Sequence, residues 1–164
     1  MPVKLFTDQA IAKTTELTNY IKIITDTSTT ADEAEKAIDL ACGLFINEDA
    51  VIHVLNTGTR MAHQYKIRSY LNRLKLSRYD NVFVDHTSII YVQRFRLHSD
   101  GNYYGVSDYA VKVQCFSNGL TDLQLKPEHA TMVLRSHIKE KNGNKILKLD
   151  IFLSDASIKE TEKR

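Results

Sequence analysis

The spacing of hydrophobic positions changes period along this chain, first helical and then alternating. Over residues 7–25, Ala10, Leu17, Ile21 and Ile24 fall at steps of three, four or seven, which predicts an amphipathic helix. The Thr/Ser/Asp cluster at 26–30 ends it, because short polar side chains compete for helical backbone bonds. Thr30 followed by Glu33 is a capping box that opens a second helix over 31–46. Its buried stripe reads Ala34, Ala37, Ile38, Ala41, Cys42 and Phe45. Gly43 costs that helix about 1 kcal/mol against alanine and allows close approach of a sheet.

Residues 44–58, LFINEDAVIHVLNTG, switch from one period to the other within a few positions. They predict an acidic corner, a short strand over 51–55 and a turn at Asn56-Thr57-Gly58. A third helix is expected over 61–76, with Ile67, Leu71 and Leu74 as its apolar edge and Arg68, Arg73 and Lys75 solvated. Beyond Tyr79 the period is two, through 86–98, 103–116, 129–139 and 145–153. Asp100-Gly101 and Asn142-Gly143 are hairpin signals that make neighbouring segments antiparallel. An irregular loop is expected over 117–127, and a frayed, charged end over 159–164. The order of elements predicts an α+β fold, three N-terminal helices packed on a strongly curved antiparallel sheet. Residues 1–164 read as one domain with its core at about 7–155.

Alternation also assigns the two faces of the sheet. Ile89, Tyr91, Phe95, Leu97, Tyr109, Val111, Val113, Met132, Leu134 and Ile151 are expected to cover the helices. The opposite face mixes Arg94, Arg96, Lys112, Arg135 and Lys148 with Ile90, Val92, Val106, Val133, Ile146 and Phe152. That is too apolar for a purely solvated surface, and a second copy packed there, forming a homodimer, explains the mixture.

Composition narrows the function classes. With 43% hydrophobic and 26% charged residues in 164, the chain has the makeup of a globular domain. No apolar run approaches the roughly 18 residues of a membrane span. Residues 1–12 lack the apolar core of a secretory signal, so the expected compartment is the cytoplasm and no membrane partner is expected. The net charge of +2 is the remainder of 22 basic and 20 acidic residues. Asp108 and Asp150 interrupt the basic stripe and stacking aromatics are sparse, so nucleic acid is not an expected partner. Cys42 and Cys115 sit in separate apolar patterns without a C-x-x-C and read as buried reduced thiols, or as a disulfide if the protein is exported. The histidines have no metal-ligand spacing, and a Gly-rich phosphate loop is absent, so neither metal nor cofactor is expected.

Three helices, a short strand between the second and third, and four long antiparallel strands resemble the cystatin-like cone of the nuclear transport factor 2-like superfamily. That superfamily includes ketosteroid isomerases and polyketide cyclases. The resemblance covers residues 7–155 in element order, and its local support is Leu44 to Val54. It implies a pocket between helices and concave sheet with Asp49 at one rim. In the isomerases the outgoing strand carries a carboxylate that abstracts a proton. Here Val54 occupies that position, and valine takes no proton.

The candidate chemistry therefore rests on other residues. His53 shares a side of the short strand with Val51 and Leu55, and an imidazole pointing into the cone is a general base near neutral pH. The competing reading is a core histidine bonded to a backbone or tyrosine oxygen. Tyr91, Gln93, Ser107, Tyr109 and Ser136 share the inward face and, with His53, form a candidate lining for a small organic ligand with a polar head. Glu48 and Asp49 point apart in a strand and read as turn residues rather than an acid–base pair. The expectation is a non-catalytic small-molecule-binding or dimerisation domain. The alternatives are a small isomerase- or cyclase-like enzyme using His53 with a tyrosine hydroxyl, and a protein-interaction module.

Overall fold

The computed structural model describes residues 3–77, 79–92, 95–117 and 120–162. Of these, 3–7, 85–92, 107–112, 120–122, 128–130, 136–139, 146–149 and 162 are described by backbone alone. The elements run α1 (Val3–Thr25), α2 (Ala31–Cys42), β1 (Val51–Asn56), β2 (Ala62–Lys66), α3 (Ile67–Leu76), β3 (Asn81–Val92), β4 (Arg96–Leu97), β5 (Tyr103–Ser117), β6 (Leu120–Lys141) and β7 (Asn144–Glu162). The fold is α+β, with three helices and one large, mainly antiparallel sheet. Strand order is β2-β1-β7-β6-β5-β3, with β4 pairing β5. One neighbouring pair, β1 with β7, is parallel. Among the described residues no helix is long and apolar enough to cross a membrane.

Helix α1 buries Ala10, Leu17, Ile21 and Ile24 as its spacing predicts, together with Thr14, Thr18 and Thr25. Those hydroxyls are harmless there because each donates to the carbonyl four residues back, at 2.9, 2.9 and 2.8 Å. The Thr30 hydroxyl oxygen accepts the Glu33 N–H at 3.2 Å and donates to the Glu33 carboxylate at 3.0 Å, starting α2 as expected. The helix stops at Cys42, short of the expected residue 46. Residues 44–46 are drawn into the sheet instead: Ile46 N–H donates to the Leu153 carbonyl at 2.7 Å, and Leu153 N–H to the Leu44 carbonyl at 2.9 Å.

Three further expectations are corrected. Residues 62–66 form β2, hairpinned on β1, rather than the first turn of the third helix. The turn is held by Asn56 Oδ1, which accepts N–H groups from Gly58 and Thr59 at 3.0 and 3.1 Å. Residues 120–127 are the start of β6, paired with both β5 and β7, not an irregular loop. Strand β7 continues to Glu162 instead of fraying at Lys159, because its end is paired on one side by β1 and on the other by β6.

The long strands carry their own irregularities. From Met132↔Leu153 to Ala130↔Ala156, β7 uses one residue more than β6, a bulge at Ser154–Asp155. That extra residue changes which positions face the helices, from Ile151 and Leu153 to Ala156, Ile158 and Glu160. It also re-aims Asp155, whose Oδ1 accepts the Val51 N–H at 2.9 Å and fixes the start of β1. At the other hairpin, Asn142 and Gly143 both have positive φ, 54° and 77°, the geometry of a two-residue type I′ turn. The core between helices and sheet joins Ile21, Ile38, Ile67, Leu71, Leu125, Met132, Leu134, Ile151 and Leu153, all buried. Cys42 and Cys115 are buried free thiols, and burial raises the Cys42 pKa.

Candidate functional site

Strand β1 presents Ile52 and Val54 to the core and leaves His53 and Leu55 exposed. This phase is the reverse of the expected one, in which His53 points into the interior. Both alternating sets of this strand contain two aliphatic residues, so pattern alone does not separate them. The set with histidine faces solvent, because burying an imidazole adds a desolvation cost that Ile52 and Val54 do not carry. His53 therefore lies on the face of the sheet away from the helices, and its expected alignment with an interior ligand site is corrected. Val54 is buried.

The remaining candidate lining is spread over three strands. Tyr91 lies on β3, Ser107 and Tyr109 on β5, and Ser136 on β6, with backbone pairings Val92↔Ser107, Ile89↔Tyr109 and Ser136↔Leu149. Their side chains lie outside the described residues, as does Gln93 altogether. Phe95 packs against the core as expected, its ring close over Gly105. Leu97 is exposed, on the two-residue strand β4 that pairs with the start of β5.

The polar centre of the described interior is one the sequence reading missed. Glu160, near the C-terminal end of β7, is the one buried charged side chain among the described residues. It accepts a hydrogen bond from the Tyr70 hydroxyl at 3.0 Å and pairs with Arg73 Nη1 at 2.9 and 3.2 Å. Tyr70 and Arg73 lie three apart on α3, so one helical face delivers both donors to the same carboxylate. The Arg73 guanidinium also sits 5.3 Å from the centre of the Tyr65 ring, which in turn lies 6.0 Å from the Tyr70 ring. Burial, then the Glu160 charge and hydrogen bond, push the Tyr70 pKa well above its ordinary value, so the phenol stays a donor. Burial opposes the charge on Arg73, and the Glu160 bond and charge outweigh it, raising the pKa.

A hollow of about 60 Å³ opens beside this cluster, lined by Arg73, Leu74, Ser77, Tyr79, Leu123 and Glu160. The cluster pins the end of β7 to α3. Nothing in the sequence period marked it, since Glu160 falls in a charged run; the alternation Ala156, Ile158, Glu160 was the available signal.

The acidic corner is a set of exposed ion pairs. Glu48 and Asp39 both meet Arg68, at 2.5 and 2.8 Å, and Asp49 meets Lys66 at 3.2 Å. Lys75 reaches Glu35 at 3.0 Å, so α2 and α3 are laced together across their solvent side. Arg68, Arg73 and Lys75 all stay partly exposed along the polar edge, as expected, at 37%, 40% and 31%, and Arg73 also reaches the buried Glu160 carboxylate. Among the described residues, no group of three or more His, Cys, Asp or Glu side chains is placed to hold a metal ion.

No family model and no curated protein matches this chain.

Proposed function

We propose that this chain is a non-catalytic binding domain of the nuclear transport factor 2-like type that associates with a second copy of itself through the outer face of its sheet. The observation carrying the proposal is the apolar character of that face. Phe83 is 55% exposed there, and Val133, which points away from the helices, is 2% exposed under its own neighbours, so the surface offered is theirs. Val133 is flanked across the strands by Tyr104 and Phe152, its paired neighbours. Val106 extends this row along β5, and Phe116 lies with Phe83 toward the other end of the strand; both patches have the composition of an interface core rather than of a solvated sheet.

The element order, with a β1–β2 hairpin before the third helix and β1 parallel to the last long strand, supports the family reading. The non-catalytic reading is supported by Val54 at the carboxylate position, by the outward His53, and by a Glu160 already engaged by two donors. A small organic ligand on the helix-facing side, near Tyr91, Gln93, Ser107, Tyr109 and Ser136, belongs to the same proposal.

The test is the mass of the protein in solution, by light scattering on a sizing column. The wild type is expected at twice the protomer mass, and Phe152→Arg and Phe83→Arg each at the protomer mass with unchanged circular dichroism. A wild-type protomer at tens of micromolar, or variants that keep the doubled mass, would remove the outer face from consideration. A thermal-shift screen of small carboxylates, sterols and aromatics tests the ligand clause through linkage.

A further inference from the structure

The outer face holds a second feature, on the opposite margin of the sheet from the aromatic row. Strands β2, β1 and β7 lie side by side, and their register lines up two rows of outward residues: Gln64, His53 and Ser157, then Ala62, Leu55 and Lys159. Together they line a groove of about 430 Å³, within the size range of small-molecule sites. The Ser157 hydroxyl oxygen is buried in its floor and has no hydrogen-bond partner among the described residues. An orphaned buried hydroxyl is costly unless something satisfies it.

The chemistry of the two rows is one-sided. The first supplies an imidazole, an amide and the orphaned hydroxyl, and the second an ammonium beside the aliphatic Leu55 and Ala62. Among the described residues, no carboxylate side chain lines this groove. Asp155 lies beyond His53 in an adjoining hollow, where one of its oxygens already accepts the Val51 N–H. Converging donors and a positive charge beside a small apolar surface match an anionic head on an apolar body.

We infer that the β2-β1-β7 groove is a binding site for a small organic carboxylate, with the carboxylate on the Gln64–His53–Ser157 row and the apolar body on Leu55 and Ala62. This site is on the other face of the sheet from the expected interior pocket. It is also separate from the proposed dimer row: Ser157 is five residues beyond Phe152 on β7, roughly 16 Å of strand. Loss of the groove and loss of the dimer are therefore read by different variants.

The experiment is an NMR titration of the full chain with phenylacetate, following the His53 ring, the Leu55 methyls and the Gln64 side-chain amide. Saturable shifts at all three are expected, with a Kd in the millimolar range that suits a ligand of about ten non-hydrogen atoms. Phenethylamine, the cationic counterpart, is expected to bind at least about tenfold more weakly, and His53→Ala and Lys159→Met to weaken phenylacetate by a similar factor. Ser157→Ala separates binding from structure. Removing the orphaned hydroxyl is expected to raise the Tm of the free protein by about 2–4 °C while weakening phenylacetate. No saturable shift at these residues, equal binding of the amine, or phenylacetate affinity unchanged in His53→Ala would overturn the assignment.

Discussion

Replacing Glu160 with alanine strips the acceptor from two donors at once. Tyr70 is 1% exposed, so leaving its hydroxyl without an acceptor costs about 1–3 kcal/mol. Arg73 is different. Its side chain is 40% exposed against 2% for Glu160, so it turns toward solvent and the lost pair adds only about 1 kcal/mol. The sum is about 2–4 kcal/mol. For a domain of this size the middle of that range lowers Tm by about 6–12 °C. Tyr70→Phe, which leaves Glu160 its Arg73 partner, should cost less, about 1–2 kcal/mol. Urea unfolding followed by circular dichroism measures each, and the cycle of Tyr70→Phe, Glu160→Gln and the double variant isolates their coupling, expected near 1 kcal/mol. A Glu160→Ala protein within about 0.5 kcal/mol of the wild type, or strict additivity in the cycle, would refute the claim that this cluster holds β7 to α3.

Other outcomes follow from local geometry. A Cβ added at Gly105 would stand 3.1 Å from the Phe95 ring, so Gly105→Ala should destabilise by about 1–3 kcal/mol, with Phe95→Leu restoring part of the loss in the double variant. At the hairpin tip, the Tyr104 hydroxyl bond and then the Asn102 N–H hold the Asp100 carboxyl below its ordinary 3.8. A depressed folded pKa contributes stability above the unfolded value and loses it as pH falls through the folded one. The Asp100 carboxyl carbon should therefore titrate with a midpoint below 3.8, and Tyr104→Phe should move that midpoint upward; an unmoved midpoint would break the assignment. The thiols of Cys42 and Cys115 are both buried, so a colourless aromatic disulfide reagent should label them no faster than the protein opens, whereas labelling of the folded protein within seconds would contradict their burial. Thr30→Ala removes the α2 cap and should cost about 1 kcal/mol in the same unfolding assay.

Local signals carried much of the architecture. Thr30 and Glu33 marked a helix start that the structure keeps, and Asn142-Gly143 marked a tight turn because few other dipeptides accept two positive φ angles. What escaped was set by distant partners. Residues 62–66 have no clean period and become a strand because β1 is beside them. Residues 120–127 contain Pro127, which reads as a breaker; it falls beside a register shift, where a strand tolerates the missing N–H. The bulge at Ser154–Asp155 shifts the inward set by one, and a period-two reading carried past it assigns every later residue to the wrong face. Glu160 was lost because it falls in the charged run over 159–164 that reads as a frayed end, and His53 because both faces of a short strand were comparably apolar. The described residues leave the expected Tyr91, Gln93, Ser107, Tyr109 and Ser136 lining as a proposal, and the groove at His53 becomes visible only when β7 is placed beside β1.

The parallel seam between β1 and β7 joins positions 104 residues apart. During synthesis, a nascent chain that has not yet exposed Ala156 offers the β1–β2 hairpin no neighbour on its inner side. Ile52 and Val54 then stay wet while α1 and α2 are already available to pack. Completion must wait for the incoming strand to slot between β1 and β6, a late, long-range closure that slows folding and lengthens the interval in which holding chaperones find exposed aliphatic edge.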